Sequence, residues 1–124
     1  GESRALDVLG FGNEAQVSVE NIRIHPPRPA IGASVLITCE ITSRSSLPQP
    51  VLADLRVHYV KANGARRPKV FKLKASELAP RETLRVRKSL TLAQLTTRTH
   101  YSGTHQVEVL VNGRAYPLGG FELV

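Results

Sequence analysis

The strongest constraint in this sequence is a period of two. Val35, Ile37, Cys39 and Ile41 alternate with Ser34, Thr38, Glu40 and Thr42, which turns one side of an extended chain toward a core and the other toward water. The same pattern returns at Val51, Ala53, Leu55, Val57 and Tyr59, at Leu84, Val86 and Leu90, and at His105, Val107, Val109 and Val111. An earlier run carries Val17 and Val19, then Ile22 and Ile24 after a slip at Glu20 and Asn21, which predicts a strand with a bulge. A final run from Gly120 places Phe121 and Leu123 on one face.

Between these runs lie breakers. Three prolines fall between His25 and Pro29, and a residue without an N–H cannot donate to a ladder, so a strand ends there. Asn63-Gly64 and Asn112-Gly113 stand between apolar-patterned segments as hairpin signals. The first is expected to return through Lys69–Leu73, with Phe71 and Leu73 inward and Val70, Lys72 and Lys74 outward. Leu78–Glu82 reads as a turn, and Leu92–Leu95 as a short helical turn at a crossing between sheets. About seven strands without a convincing helix predict an all-β, immunoglobulin-like antiparallel sandwich over residues 16–124. Residues 1–15 read as a linker from an upstream domain, the chain being a fragment of a longer protein.

Length and composition agree with one folded domain: 124 residues, 41% hydrophobic and 22% charged. No apolar run approaches the roughly 20 residues of a membrane span. Cys39 is the single cysteine and has no partner for an internal disulfide, which favours a reducing, cytoplasmic setting. A monomer is expected.

Catalytic chemistry finds no support. His25, His58, His100 and His105 do not converge with further ligands as a metal site requires, although His100 and His105 flank one Gly turn. Cys39 sits on an apolar strand face, where a thiol is inert. Glu40, Asp54, Glu77, Glu82 and Glu108 read as solvated strand or turn positions, and no glycine-rich phosphate loop opens a helix. No catalytic residue, metal or cofactor is expected.

Charge is the informative feature. Seventeen Lys and Arg oppose ten Asp and Glu, a formal charge of +7. Between Lys61 and Lys88 stand ten basic residues against Glu77 and Glu82 alone. Lys61, Arg66, Arg67, Lys69, Lys72, Lys74, Arg85 and Arg87 are the candidate nucleic-acid ligands. If the strands carrying Lys72 and Lys74 and those carrying Arg85 and Arg87 are neighbours, they make one basic sheet face suited to phosphate. The same charges would otherwise serve as solvated, aggregation-resistant strand faces.

The segment His58-Tyr59-Val60-Lys61-Ala62-Asn63-Gly64, continuing through Pro68-Lys69-Val70-Phe71-Lys72-Leu73, resembles the C-terminal domain of bacterial DNA alkylation repair proteins of the HEAT-like-repeat glycosylase type. Leu78-Ala79-Pro80 and the run from Thr96 to Gly113 extend the resemblance over nearly all the chain after residue 15. Arg66-Arg67 before Pro68, and Ser102 before Gly103, depart from the family pattern. The resemblance implies a non-catalytic appendage to helical repeats that cradle DNA and hold the catalytic residues. DNA phosphate and the upstream repeats are then the expected partners. The alternative is a sandwich that packs on its neighbouring domain without touching DNA. An extracellular adhesion or carbohydrate-binding sandwich would call for paired cysteines or exposed aromatics, and the chain has one Cys and no Trp.

Overall fold

A computed structural model describes residues 15–124, and the segment 1–14, most of the expected linker, lies outside the described residues. Seven strands follow one another: β1 (Val17–His25), β2 (Ser34–Ser43), β3 (Gln49–Val60), β4 (Arg66–Leu78), β5 (Thr83–Thr91), β6 (Gly103–Val111) and β7 (Arg114–Leu123). All pairings are antiparallel, in a three-stranded sheet of order β1-β2-β5 and a four-stranded sheet of order β4-β3-β6-β7. This is the immunoglobulin-like sandwich that the alternation predicts.

The alternating residues meet between the sheets. Val35, Ile37, Cys39 and Ile41 of β2, with Leu84, Val86 and Leu90 of β5, face Val51, Ala53, Leu55 and Val57 of β3 and Val107, Val109 and Val111 of β6. Phe121 and Leu123 of β7 complete the core, which also takes in Ala15, a residue that the sequence pattern assigns to the linker. Removing such side chains from water is the main stabilising term for a domain of this size. Cys39 is 3% exposed, and burial, ahead of the neighbouring Glu40 charge, pushes its thiol up to about 11.

Several local features depart from the pattern for identifiable reasons. The β1 bulge falls where the slip predicts it, between Glu20 and Arg23, with Asn21 at φ 53°. Ile24 is half-buried, whereas Ile22 in the bulge is 42% exposed. The prolines do end β1, yet the carbonyls of Pro27 and Pro29 accept hydrogen bonds from the N–H groups of Glu122 and Val124. Proline lacks a donor but keeps its acceptor, so the segment crosses to the edge of β7. Residues 92–95 form no helical turn. Leu95 instead bridges Arg98 through reciprocal backbone hydrogen bonds of 2.9 and 3.2 Å, around a turn at Thr96 and Thr97.

The two Asn-Gly signals make different hairpins. Asn112 (φ 50°) and Gly113 (φ 85°) both have the left-handed backbone of a two-residue type I′ loop between Val111 and Arg114. Asn112 also ties the hairpin to β3, its Oδ1 accepting from Leu52 N–H and its Nδ2 donating to the Pro50 carbonyl. At the other site Gly64 N–H donates to the Lys61 carbonyl and Lys61 N–H to the Ala65 carbonyl, with only Gly64 at positive φ. This is the three-residue loop with a glycine bulge.

Gly120 has a different role. A Cβ there would lie 2.6 Å from the backbone carbonyl oxygen of His105 on the paired strand. Gly120→Ala is expected to destabilise the domain by about 1–3 kcal/mol through this overpacking, measured by urea unfolding. Gly64→Ala, with open space around the new methyl, is expected to cost about 1–2 kcal/mol from backbone conformation alone.

Candidate nucleic-acid interface

The strands that carry the basic residues do not pair within one sheet. After the Leu78–Glu82 turn the chain leaves the four-stranded sheet, so β4 and β5 end as edge strands of opposite sheets on the same side of the sandwich. In β5, Leu84, Val86 and Leu90 point inward, leaving Arg85 and Arg87 on the outer face of the three-stranded sheet. In β4, Lys72 pairs with Asp54 on the outer face of the four-stranded sheet. Those are opposite faces of the molecule, and the single basic sheet face does not form.

Lys72 and Lys74 do not share a side either. The β3–β4 register passes from Asp54↔Lys72 to Ala53↔Lys74, a bulge that skips Leu73. Lys74 therefore falls in register with a core residue, while Lys72 remains opposite an acid. An extra residue in a strand reverses the alternation beyond it, and nothing in the local sequence announces it.

Partners distinguish the remaining candidates. Arg85 Nε lies 3.0 Å from Glu40 Oε2, so this side chain, though 84% exposed, faces a carboxylate. Arg66 Nη1 donates to the Gly64 carbonyl at 2.6 Å and braces the hairpin. Lys61, Arg67 and Lys69 instead line one cleft of about 660 Å³ at the hairpin end of the sandwich. Thr97, Arg98, Thr99 and Tyr101 from the loop between β5 and β6 also line it, and Tyr59, Val60, Ala62 and Pro68 complete it. Among the described residues the lining holds four cationic side chains and no carboxylate. Charge of one sign in a concave wall focuses the field on an anion.

Arg98 and Tyr101 are the residues that sequence reasoning missed. Arg98 lies in a stretch without alternation, and only the fold brings it to the hairpin. Its guanidinium stands 4.8 Å from the Tyr59 ring centroid, and Nη1 donates to Tyr59 Oη at 3.3 Å. The Phe71 ring collects a further group of cations: Lys88 Nζ at 5.2 Å, Arg98 Cζ at 5.8 Å and Lys69 Nζ at 5.9 Å from its centroid. These come from β5, the β5–β6 loop and β4. The positive charge thus gathers at the open edge between the sheets, held over aromatic faces.

Beneath the cleft lies a ring cluster. Tyr59 packs edge-on against His105 at 5.7 Å and tilted against His100 at 5.7 Å, and His105 stacks on Phe121 at 5.0 Å. His105 donates from Nδ1 to the Gly103 carbonyl and presents Nε2 to Val60 N–H. His100 is 3% exposed, and neither ring nitrogen has a hydrogen-bond partner in the protein. Burial first, then the Arg98 and His105 charges, holds His100 below its ordinary value, and burial likewise lowers His105.

On the outer face of the four-stranded sheet, Glu108 Oε1 accepts from Arg56 Nε at 2.8 Å and meets His58 Nε2 at 2.6 Å. Hydrogen bonds from Arg56 and then His58 hold its carboxyl below the ordinary range. Glu108, read from sequence as a solvated carboxylate, is thus the centre of a cross-strand cluster. Among the described residues no group of three or more His, Cys, Asp or Glu is placed to hold a metal, and no helix is long and apolar enough to cross a membrane.

The family model of the C-terminal Ig-like domain of the uncharacterised protein YhaZ matches residues 18–124. The chain belongs to this family. The uncharacterised YhaZ protein of Bacillus subtilis (strain 168) is 32% identical to it over 113 residues, which is 91% of this chain and 31% of that protein. Among solved structures, the alkylpurine DNA glycosylase AlkC of Pseudomonas fluorescens, bound to DNA containing an abasic site analogue, aligns with a TM-score of 0.88 and 35% identity. That alignment covers 98% of this chain and 34% of AlkC. A β-glucosidase of Listeria innocua aligns with a TM-score of 0.67 over 90% of this chain and 17% of its own, at 15% identity, a likeness of fold alone. This YhaZ-type Ig-like chain spans about a third of the length of its first two relatives.

The two histidines under the cleft carry a pH dependence with a definite sign. Both have folded-state values below the ordinary 6.5, so the unfolded chain takes up protons first as the pH falls. Stability is expected to be fully present well above pH 6.5 and to fall as the pH drops through and below it. Melting temperatures recorded from pH 7.5 to 5.5 check this, with a decline across that interval as the expected result.

Proposed function

We propose that this chain is a non-catalytic accessory domain of a DNA alkylation repair protein, and that it adds sequence-independent affinity for the DNA backbone. The observation that carries the reading is the hairpin-end cleft, where Lys61, Arg67, Lys69 and Arg98 line one concavity without a carboxylate among the described residues. Phosphate contact requires density of positive charge and donor groups rather than a surface shaped to a groove. The similarity to AlkC, solved on DNA with an abasic site analogue, supports the DNA-repair setting. In this reading the base-removing chemistry belongs to a domain preceding this one, the helical repeats that the resemblance implies.

The original set of eight ligands divides accordingly. Lys61, Arg67 and Lys69, joined by Arg98, take phosphate in the cleft. Arg66 shapes the hairpin that presents them. Lys72, Lys74, Arg85 and Arg87 contribute to the general positive field and not to the contact: none of the four lines the cleft, Lys72 and Arg85 face Asp54 and Glu40, and Arg87 lies on the outer face of the three-stranded sheet.

Fluorescence anisotropy with a labelled duplex and its separated strand tests the reading. At about 20 mM salt, where screening is weakest, binding of at least one of them is expected. Its logarithm should fall with the logarithm of salt with a slope of about −3 to −4 for four neutralised phosphates. Reversing Lys61, Arg67, Lys69 and Arg98 to Glu should abolish binding, whereas Arg85→Glu with Arg87→Glu should leave most of it. Absence of binding to either oligonucleotide at that salt would refute the role.

A further inference from the structure

Phosphate contact needs charge alone, yet the cleft also presents rings. Tyr101 lines it and is 39% exposed, whereas the other described aromatics, Tyr59, Phe71, Tyr116 and Phe121, are buried or half-buried. An exposed ring in a wall of cations costs apolar hydration and is not required by the core.

The ring is also held on an ordered support. The backbone of the preceding residue, His100, is clasped by one side chain: Gln94 Oε1 accepts from His100 N–H at 2.7 Å and Gln94 Nε2 donates to its carbonyl at 2.9 Å. The His100 ring is buried against Tyr59. Arg98 is fixed twice, through its backbone bridge to Leu95 and through its guanidinium on Tyr59. The loop carrying both Arg98 and Tyr101 is therefore pinned before any ligand arrives, which lowers the ordering cost of binding.

These observations distinguish between forms of DNA. A duplex turns its base faces into its own stack and offers phosphates to the outside. A single strand offers phosphates and bare base faces together, and a basic groove with a stacking ring takes both. The cleft of about 660 Å³ lies within the roughly 300–1,000 Å³ of sites that enclose a small ligand, a scale suited to an unpaired base with the phosphates that flank it.

We propose that the cleft holds single-stranded DNA, with phosphates on Lys61, Arg67, Lys69 and Arg98 and an unpaired base stacked on Tyr101. The proposal rests on the reading of this cleft as a phosphate site and adds to it the strandedness of the ligand and the role of Tyr101.

The test compares a labelled oligothymidine with a duplex carrying the same number of phosphates, by anisotropy on the 124-residue chain at low salt. The oligothymidine is expected to bind about tenfold more tightly or better. Tyr101→Ala should weaken that complex about five- to 150-fold, the effect of losing one base stack, and leave the duplex affinity within twofold. Tyr101→Phe, which keeps the ring, should retain the affinity. Equal affinity for the two ligands, or a Tyr101→Ala variant that weakens neither or both alike, overturns the proposal while salt-dependent duplex binding keeps the phosphate reading standing. A chain that binds neither ligand overturns both.

Discussion

Closure of the two sheets over the inward residues of β2, β3, β5 and β6 is the interaction on which the rest of the molecule depends. Once Ile41, Leu55, Val57 and Val109 are withdrawn from water, the strands that carry them have one permitted orientation, since a one-residue slip would expose the whole set. The turns then have to deliver each strand to its sheet. The Leu78–Glu82 turn does this for the basic segment, leaving β4 on one sheet and β5 on the other. Charge that is continuous along the sequence is split between two opposite faces as a result.

The same closure creates the concentration of charge that does exist. Where β4 and β5 come side by side as edges, the seam between them is closed at Leu78, Leu84, Val86 and Leu90 and stays partly open around Phe71. Phe71, Lys69 and Lys88 occupy that partly open seam. The β5–β6 loop crosses between the sheets at the same end and lays Arg98 over Tyr59. A guanidinium stacked on a ring is held in place at little entropic cost while keeping donors available. Tyr59 links the levels: its ring meets His100 and His105 below, and its hydroxyl and face meet Arg98 above. Acid destabilisation of the histidine pair and the position of Arg98 therefore act on one shared side chain.

Much of the fold was legible in the residues themselves. Alternation at Val35–Ile41 and Val51–Tyr59, the slip at Glu20 and Asn21, and the two Asn-Gly pairs mark strands, bulge and hairpins because each depends on neighbours a few residues apart. The Leu92–Leu95 segment was misread because short apolar spacing fits a helical turn as well as a loop pinned by a bridge. Of the site, Lys61, Arg67 and Lys69 were legible as part of a basic run. Arg98 and Tyr101 were not, since they lie some 30 residues further along the chain, in a stretch without periodicity.

The sequence by itself therefore determined the strand class, the turn chemistry, the single buried thiol and the excess of positive charge, all properties of local pattern and composition. Only the tertiary structure decided where that charge is concentrated. Which edges come together, and on which side of a bulge a lysine falls, depends on pairing between distant segments. The β3–β4 bulge at Leu73 turned Lys74 out of phase with Lys72, and sheet assignment separated both from Arg85 and Arg87. The fold then brought Arg98 and Tyr101 to a hairpin with which they share no sequence signal.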